Sequence, residues 1–398
     1  MLWVENAAMN KQILVAGGGI GGLAASVALA KEGARVQLLE QSTEFGEVGA
    51  GIQLGPNVVR IIESWGLGNA LRLVAAFPEK LEVRNALTAG CVGVLPLGAA
   101  MVERYGAAYA TIARADIHSL LLDAARSMEG VQLQLGSEVG GVQQDSDGVQ
   151  VQTMQDQTYK ADLLVGADGV WSRVRSHVVD DGPPRVTGHL AFRAMLPQTD
   201  LPEGLRSQIV TAWMGPNFHV VQYPVHRGEW LNVVAVVHGQ VHGDPKSWDH
   251  SANASELRAR LANVQAPLLD LIHAIDYWRL CALCDRPPMQ SAAEHAKGRI
   301  VLVGDAAHPM RPYLAQGAGM AIEDAAALAK ALQASPLDVP QALQVFAHQR
   351  WERNAKVQSR AIRNGEIFHL TGPMRVGRDL SLKFLGARLM DVPWLYQG

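Results

Sequence analysis

The spacing of apolar positions changes period twice within the first forty residues. Lys11 to Ala16 carries the run Ile13-Leu14-Val15, as a strand buried on both faces requires. Leu23 to Ala30 is rich in Ala and Leu and predicts a helix, with Gly33 as its stop. Arg35 to Glu40 predicts a second strand. The three pieces form one strand–helix–strand unit. Ile13 to Ala30 is uncharged and long enough to raise the question of a membrane span, but five of the six positions 17–22 are glycine, which weakens a continuous helix there.

Downstream, Asp116 to Arg126 predicts a helix with an Asp cap and a basic end. Val131–Leu135 and Val149–Thr153 alternate like strands around the turn signal Asp147-Gly148. Ala161–Gly166 and Arg299–Gly304 are further buried runs, the latter followed by a loop and an Ala-rich helix from about Ala321 to Ala334. Between them, Leu190–Leu196, Val220–Pro224 and Leu231–Val237, separated by turns such as His226-Arg227-Gly228, predict an antiparallel sheet inserted into the nucleotide-type fold. The C-terminal third reads as helical to about His369 and irregular beyond. The fold class is α/β: a GxGxxG-type Rossmann-like domain, an inserted antiparallel-sheet domain and a C-terminal helical region.

A length of 398 residues exceeds what one core usually supports, so two domains are expected. The net charge of −3 argues against nucleic acid or an anionic membrane as the main partner. Three cysteines, Cys91, Cys281 and Cys284, point to a reducing cytoplasm rather than a disulfide scaffold. Cys281 and Cys284 form a lone CxxC on an apolar strand that ends at Arg286-Pro287-Pro288, so a structural role is expected for it rather than thioredoxin-type chemistry. Residues 1–10 lack the basic and apolar regions of a signal peptide. Met9-Asn10-Lys11 reads like a natural start, with the first eight residues as an upstream extension. No metal site is expected; His238 and His242 are read as loop histidines because Gly239 and Gly243 disfavour a helix there.

The sharpest local signal is Gly17-Gly18-Gly19-Ile20-Gly21-Gly22. Gly17, Gly19 and Gly22 fill the G-x-G-x-x-G positions after a strand and at the start of a helix, and Glu40 follows about 20 residues on. Gly17 permits a tight turn, Gly19 lets the backbone approach a pyrophosphate, and Gly22 lets helix and strand pack closely. The helix N-terminus then presents N–H groups to phosphate. Glu40 is placed to accept from ribose hydroxyls. This unit alone leaves NAD and FAD undecided.

Two later motifs each follow a buried strand: Gly166-Ala-Asp168-Gly169-Val-Trp171-Ser-Arg-Val-Arg175 and Gly304-Asp305-Ala-Ala-His-Pro309. With the Gly-rich fingerprint and in this order, they make the chain resemble the single-component FAD-dependent aromatic hydroxylases over nearly its whole length. The nearest subgroup it resembles contains 6-hydroxynicotinate 3-monooxygenase, 3-hydroxybenzoate 6-hydroxylase and salicylate hydroxylase. Stretches 49–57, 104–109, 308–317 and 320–325 carry that likeness, together with Trp394-Leu395-Tyr396.

The resemblance implies non-covalent FAD, with NADH or NADPH as a transient reductant and O2 as co-substrate, through a C4a-hydroperoxyflavin. It implies that Asp305 bonds the ribityl chain and that the loop Pro312 to Gly319, including Gly317 and Ala318, passes beside the isoalloxazine. It assigns Asp168 to FAD and nicotinamide handling, matches Arg175 to the motif's closing arginine, and matches Arg114 to a cofactor contact. On this basis the FAD-binding domain takes residues 9–75, 104–183 and 289–335. The substrate domain takes the excursion 76–103 and residues 184–288, and 336–398 form C-terminal helices and a tail.

His219 and Tyr223 lie on one predicted strand, so they share a face about 13 Å apart and could flank one small ring. From the residues alone His219 is an ordinary strand histidine; the resemblance makes the two a substrate-site pair. Oxygen insertion is faster on an electron-rich ring, so a base that removes the ring hydroxyl's proton suits the chemistry, and histidine is the residue poised for it. Tyr223 suits a hydrogen-bonding or relay role. Gln53 stands where the pyridine hydroxylase has a histidine and matches the benzoate enzyme. Arg193 and Arg311 are candidates to pair with a substrate carboxylate, and equally read as surface or cofactor-side arginines; Pro312 and Tyr313 complete the candidate substrate set. The expected product is a hydroxylated small aromatic acid, with or without loss of the carboxylate. Alternatives are a hydroxylase of a larger aromatic or quinone-type substrate and a non-catalytic flavin-binding sensor or scaffold. The halogenase signature W-x-W-x-I-P is absent.

Overall fold

A computed structural model describes residues 9–46, 50–240, 243–247, 250–251 and 254–398. The fingerprint unit forms as its pattern requires. The strand Gln12–Ala16 pairs in parallel with Arg35–Leu39 on one side and Leu163–Gly166 on the other. Ile300–Leu302 and Val131–Gln134 extend the sheet in parallel on its two flanks, and Ala296–Lys297 adds one short antiparallel edge. The helix Ile20–Lys31 ends before Gly33, which adopts φ +88°, a conformation costly for any residue with a Cβ. Apolar side chains from this sheet and from the helices Arg114–Arg126 and Gly317–Ala334 share one core.

A second, eight-stranded sheet runs in the order His250–Ser251, Arg279–Asp285, Arg185–Pro197, Trp230–His238, Phe218–Val225, Val210–Gly215, Lys80–Asn85 and Cys91–Pro96. It is antiparallel except where Val210–Gly215 meets Lys80–Asn85. Strand alternation sorts its residues onto two faces. Phe192, Val220, Val233 and Ala235 face a core built with Leu257, Leu268 and Leu271 from two short helices. Arg193, His219, Val221, Tyr223, Val234 and Val236 face the other way.

Four local expectations are corrected. Val131–Gln134 belongs to the large parallel sheet; the strand that meets Val149–Thr153 across Asp147-Gly148 is Val139–Gln144. The helix expected to start at Asp116 starts at Arg114, with Ala113 as its cap. Asp116 sits inside the first turn, and its carboxylate pairs with His226 at 2.8 Å. The chain beyond His369 is helical, with Gly372–Leu385, Ala387–Met390 and Pro393–Tyr396. His238 is the last residue of a strand and not in a loop, while His242 lies outside the described residues. The CxxC lies within the strand Arg279–Asp285 as expected, and both cysteines are free thiols.

Candidate active site

Two neighbouring cavities open between the sheets, and Arg114 and Arg193 line both. The first is built around the fingerprint. A Cβ on Gly22 would sit 1.9 Å from the Gly17 carbonyl oxygen, and one on Gly17 would sit 2.5 Å from the Ala167 carbonyl oxygen. These glycines are required by the backbone itself. Gly19 is different: a Cβ there meets nothing within 4 Å and would project into open space at the helix N-terminus. A glycine that the protein's own packing does not need, beside free N–H groups, fits a site for pyrophosphate. Glu40 lines this cavity and accepts from the Gly18 N–H at 2.6 Å and the Ser42 N–H at 2.8 Å. It therefore holds the fingerprint loop as well as facing the cleft. His118, unmarked by any motif, bonds the Gly18 carbonyl through Nε2 at 2.8 Å.

The Asp-Gly and Gly-Asp motifs meet in space. Asp168 accepts from the Ser172 hydroxyl and from the N–H groups of Arg173 and Val174, which closes the turn at Gly169, where φ is +78°. The half-buried carboxylate is pushed up in pKa by burial, and these hydrogen bonds oppose the shift. Arg175 reaches out of that motif to the carbonyls of Ala306 and Ala307, just after Asp305. Asp305 opens onto the second cavity; the surrounding protein raises its pKa by desolvation, and Arg114 pulls it back.

The second cavity has the inserted sheet as one wall and the Gly-Asp loop as the other. Gln53, Trp171, Arg193, His219, Tyr223, Asp305, Pro312, Gly317 and Ala318 all reach it. His219 and Tyr223 project from the same face of the strand Phe218–Val225 and both are buried. Burial, then the nearby His189, lowers the His219 pKa to about 3. Burial raises that of Tyr223, against the pull of Arg193 and a bond to Gln53. Gln53 also accepts from the Tyr109 hydroxyl at 2.6 Å.

Two members of the expected substrate set point elsewhere. Arg311 pairs with the buried Asp285 at 2.7 Å and does not line the cavity; an opposite charge within reach decides its direction. Tyr313 is buried behind His219, with its hydroxyl on His189 Nδ1. Sequence reasoning missed His118, Tyr109, Asn232 (which accepts from the Gly51 N–H) and the histidines His189 and His369. Tyr109 ends the stretch 104–109; the other four belong to no local motif. All five acquire their contacts only once distant strands, helices and loops are brought together.

This fold and cleft define a flavin-type dinucleotide-binding protein. A family model described as "FAD binding domain" matches residues 10–361. The chain is 37% identical over 387 residues to 3-hydroxybenzoate 6-hydroxylase of Polaromonas naphthalenivorans, covering 96% of this chain and 95% of that one. It is 35% identical to 6-hydroxynicotinate 3-monooxygenase of Bordetella bronchiseptica, covering 87% and 89%. Among solved structures, Klebsiella pneumoniae HpxO complexed with FAD and uric acid superposes with a TM-score of 0.84 at 25% identity, covering 95% and 94%. A salicylate hydroxylase substrate complex does so with 0.81 at 27%, covering 98% and 96%. The chain belongs to the FAD-binding family and, within it, to the single-component FAD-dependent aromatic-ring monooxygenases. FAD is its cofactor. No helix among the described residues is long and apolar enough to cross a membrane.

Proposed function

We propose that this monooxygenase hydroxylates a small hydroxylated aromatic acid of hydroxybenzoate or 6-hydroxynicotinate type, with O2 and with NADH or NADPH as transient reductant. The observation that carries the reading is the placement of His219 and Tyr223 on one sheet face, across the cavity from Asp305 and the N-terminus of the helix Gly317–Ala334. When bound, FAD supplies the electrophilic oxygen for the ring.

The chain's own residues handle position and protons. Gly17, Gly19, Gly22 and Glu40 would hold the pyrophosphate and ribose end of the cofactor, with Arg114 between the two cavities and Asp168 and Asp305 toward the flavin end. The N–H groups at Gly317 and Ala318 would stabilise negative charge on the reduced flavin. Burial lowers the His219 pKa to about 3, so its imidazole is neutral and accepts a hydrogen bond from the ring hydroxyl; a base this far below neutral pH takes the proton only if it can pass it on. Tyr223, whose pKa is raised by burial, stays protonated and donates a hydrogen bond to the resulting oxyanion. Arg193 supplies a positive charge to the same cavity, suited to a carboxylate. Relatives with 3-hydroxybenzoate and with 6-hydroxynicotinate in their names both align over most of the chain. Gln53, which bonds Tyr109 and Tyr223, stands where the resembled pyridine hydroxylase has a histidine and matches the benzoate enzyme, which favours the benzoate side.

The test is a panel of hydroxybenzoates and hydroxypyridine carboxylates, scored for ring-stimulated NADH oxidation with product regiochemistry. Oxidation that no ring acid stimulates would overturn the reading, and would favour a flavin-binding protein that does not hydroxylate such rings.

A further inference from the structure

The cavity histidine does not stand alone. His219 Nδ1 lies 2.8 Å from His369 Nε2, and His369 Nδ1 lies 2.9 Å from His238 Nε2. His219 lines the substrate cavity, His369 is buried, and His238 is exposed. Three imidazoles therefore span the wall from cavity to solvent in unbroken hydrogen-bond contact. The sequence separates them widely, and the fold joins them in two ways. Register pairing puts His219 opposite Val236 and His189 opposite His238, so His189, His219 and His238 share one sheet face. The end of the long helix Val339–Phe368 then lowers His369 onto that face. It is pinned there by Asn217, which donates to the His369 carbonyl, and by Arg378, which donates to the carbonyls of Ile367 and Phe368.

We propose that His219, His369 and His238 form a proton path that carries the ring hydroxyl's proton from the cavity to solvent. This rests on the substrate reading above, because a ring acid must arrive with a hydroxyl to ionise. With Nδ1–H tautomers throughout, each ring has a bare Nε2 toward the cavity side and a donor toward the solvent side. The substrate O–H proton passes to His219 Nε2, the His219 Nδ1 proton to His369 Nε2, the His369 Nδ1 proton to His238 Nε2, and the His238 Nδ1 proton to water. One proton leaves the substrate, one reaches solvent, and no imidazole keeps a charge. When the ring oxygen takes its proton back after hydroxylation, the same path runs in reverse and the tautomers reset.

The surroundings suit transfer rather than storage of a proton. His219 and His369 are held well below the ordinary histidine range, by burial first and then by neighbouring imidazoles. Arg311 acts in the same sense on His189 and His238, and Arg378 on His369; Asp285 opposes it at His189. Tyr313 occupies His189 Nδ1 and keeps that ring beside the path. A buried base that cannot retain a proton needs an exit for it, and His369 is the contact its second nitrogen makes.

The experiment mixes FAD-loaded enzyme with a ring acid taken from the panel, in weak buffer with a pH indicator. Stopped-flow absorbance follows phenolate formation and proton release together. His369→Leu should slow both by about 10²-fold, with FAD content and ligand affinity retained. His369→Gln, which keeps a polar side chain but cannot relay, should behave the same and guards against a folding defect. His238→Ala should slow release, and added imidazole should restore it. Wild-type rates in all three variants would overturn the path while leaving the substrate reading intact. A wild-type enzyme that binds and hydroxylates ring acids without ionising them would remove the path and the base together. A wild-type enzyme that binds no ring acid would remove the substrate reading and the path with it.

Discussion

Arg175 donates through Nη1 to the Ala307 carbonyl oxygen at 2.6 Å and to the Ala306 carbonyl oxygen at 3.0 Å. Its remaining guanidinium nitrogens are held by Asp181. One side chain thus ties the Asp-Gly motif to the Gly-Asp loop, more than a hundred residues later in the chain. Those carbonyls follow directly on Asp305, so the link holds the loop that carries that carboxylate.

Arg175→Ala should therefore weaken FAD more than it weakens the fold. Hydrogen bonds from a charged donor contribute about 1.5–3 kcal/mol, so the loss should be about 10- to 100-fold in affinity if that energy positions the loop. Arg175→Lys keeps the charge but not the fork and should fall between. Titrating apoenzyme with FAD and following flavin fluorescence gives both numbers. Unchanged affinity in the alanine variant would show that the link is not what places Asp305.

The fingerprint glycines make a sharper pair. Gly22→Ala would put a Cβ 1.9 Å from a backbone oxygen, so the strand–helix turn must move; loss of folded protein is expected. Gly19→Ala meets no protein atom within 4 Å, and an Ala in place of Gly at a helix cap costs only about 1 kcal/mol or less. The apoenzyme should melt near the wild-type temperature while FAD affinity collapses. Equal damage to apo stability from both substitutions would argue that Gly19 serves the fold and not the ligand.

Gln53 joins two buried phenols, accepting from Tyr109 and bonding Tyr223. Gln53→Leu strands both, and an unpaired buried polar group costs about 1–3 kcal/mol. The variant should melt lower and bind its ring acid more weakly. Because Tyr223 has then already lost its partner, adding Tyr223→Phe should cost less than it does alone. Strict additivity of the two melting shifts would mean that the two side chains do not act as a unit.

How much of this was legible in the residues divides along one line. The fingerprint, Asp168-Gly169 and Gly304-Asp305 are local: each places its residues within one turn after one strand, and the period of the apolar positions located those strands. His219 and Tyr223 were legible as a same-face pair because strand geometry is also local. What was not legible depends on register between distant strands. Val131–Gln134 and Val149–Thr153 look alike in pattern, yet they belong to different sheets, because pairing partners are chosen by the whole fold. Arg311 carries the same charge as Arg193, but Asp285, 26 residues away, draws it out of the cavity. His369 sits at a helix end with no motif about it, and it acquires neighbours only when that helix docks on the sheet.

The histidine cluster also sets a pH dependence of stability. In the folded chain His219 titrates near pH 3, His189 near 4 and His369 near 2, with burial the leading cause in each case. In the unfolded chain each returns to about 6.5. Between those values the unfolded state binds more protons than the folded state, so stability rises with pH in that window. It is fully present above about pH 7 and is lost as pH falls below about 6.5, where the unfolded chain begins to take up protons. Replacing one titrating member removes its share of the slope, whatever the substitution costs by itself. His369→Gln should therefore lose less stability than wild type as pH falls from about 7.5 toward about 5, so the difference in melting temperature between them shifts in the variant's favour. Melting both proteins as FAD-loaded enzyme across that range measures it, and the wild-type curve should be the steeper. Parallel curves would mean that His369 carries the same proton affinity folded and unfolded, which a neutral imidazole pressed between His219 and His238 should not.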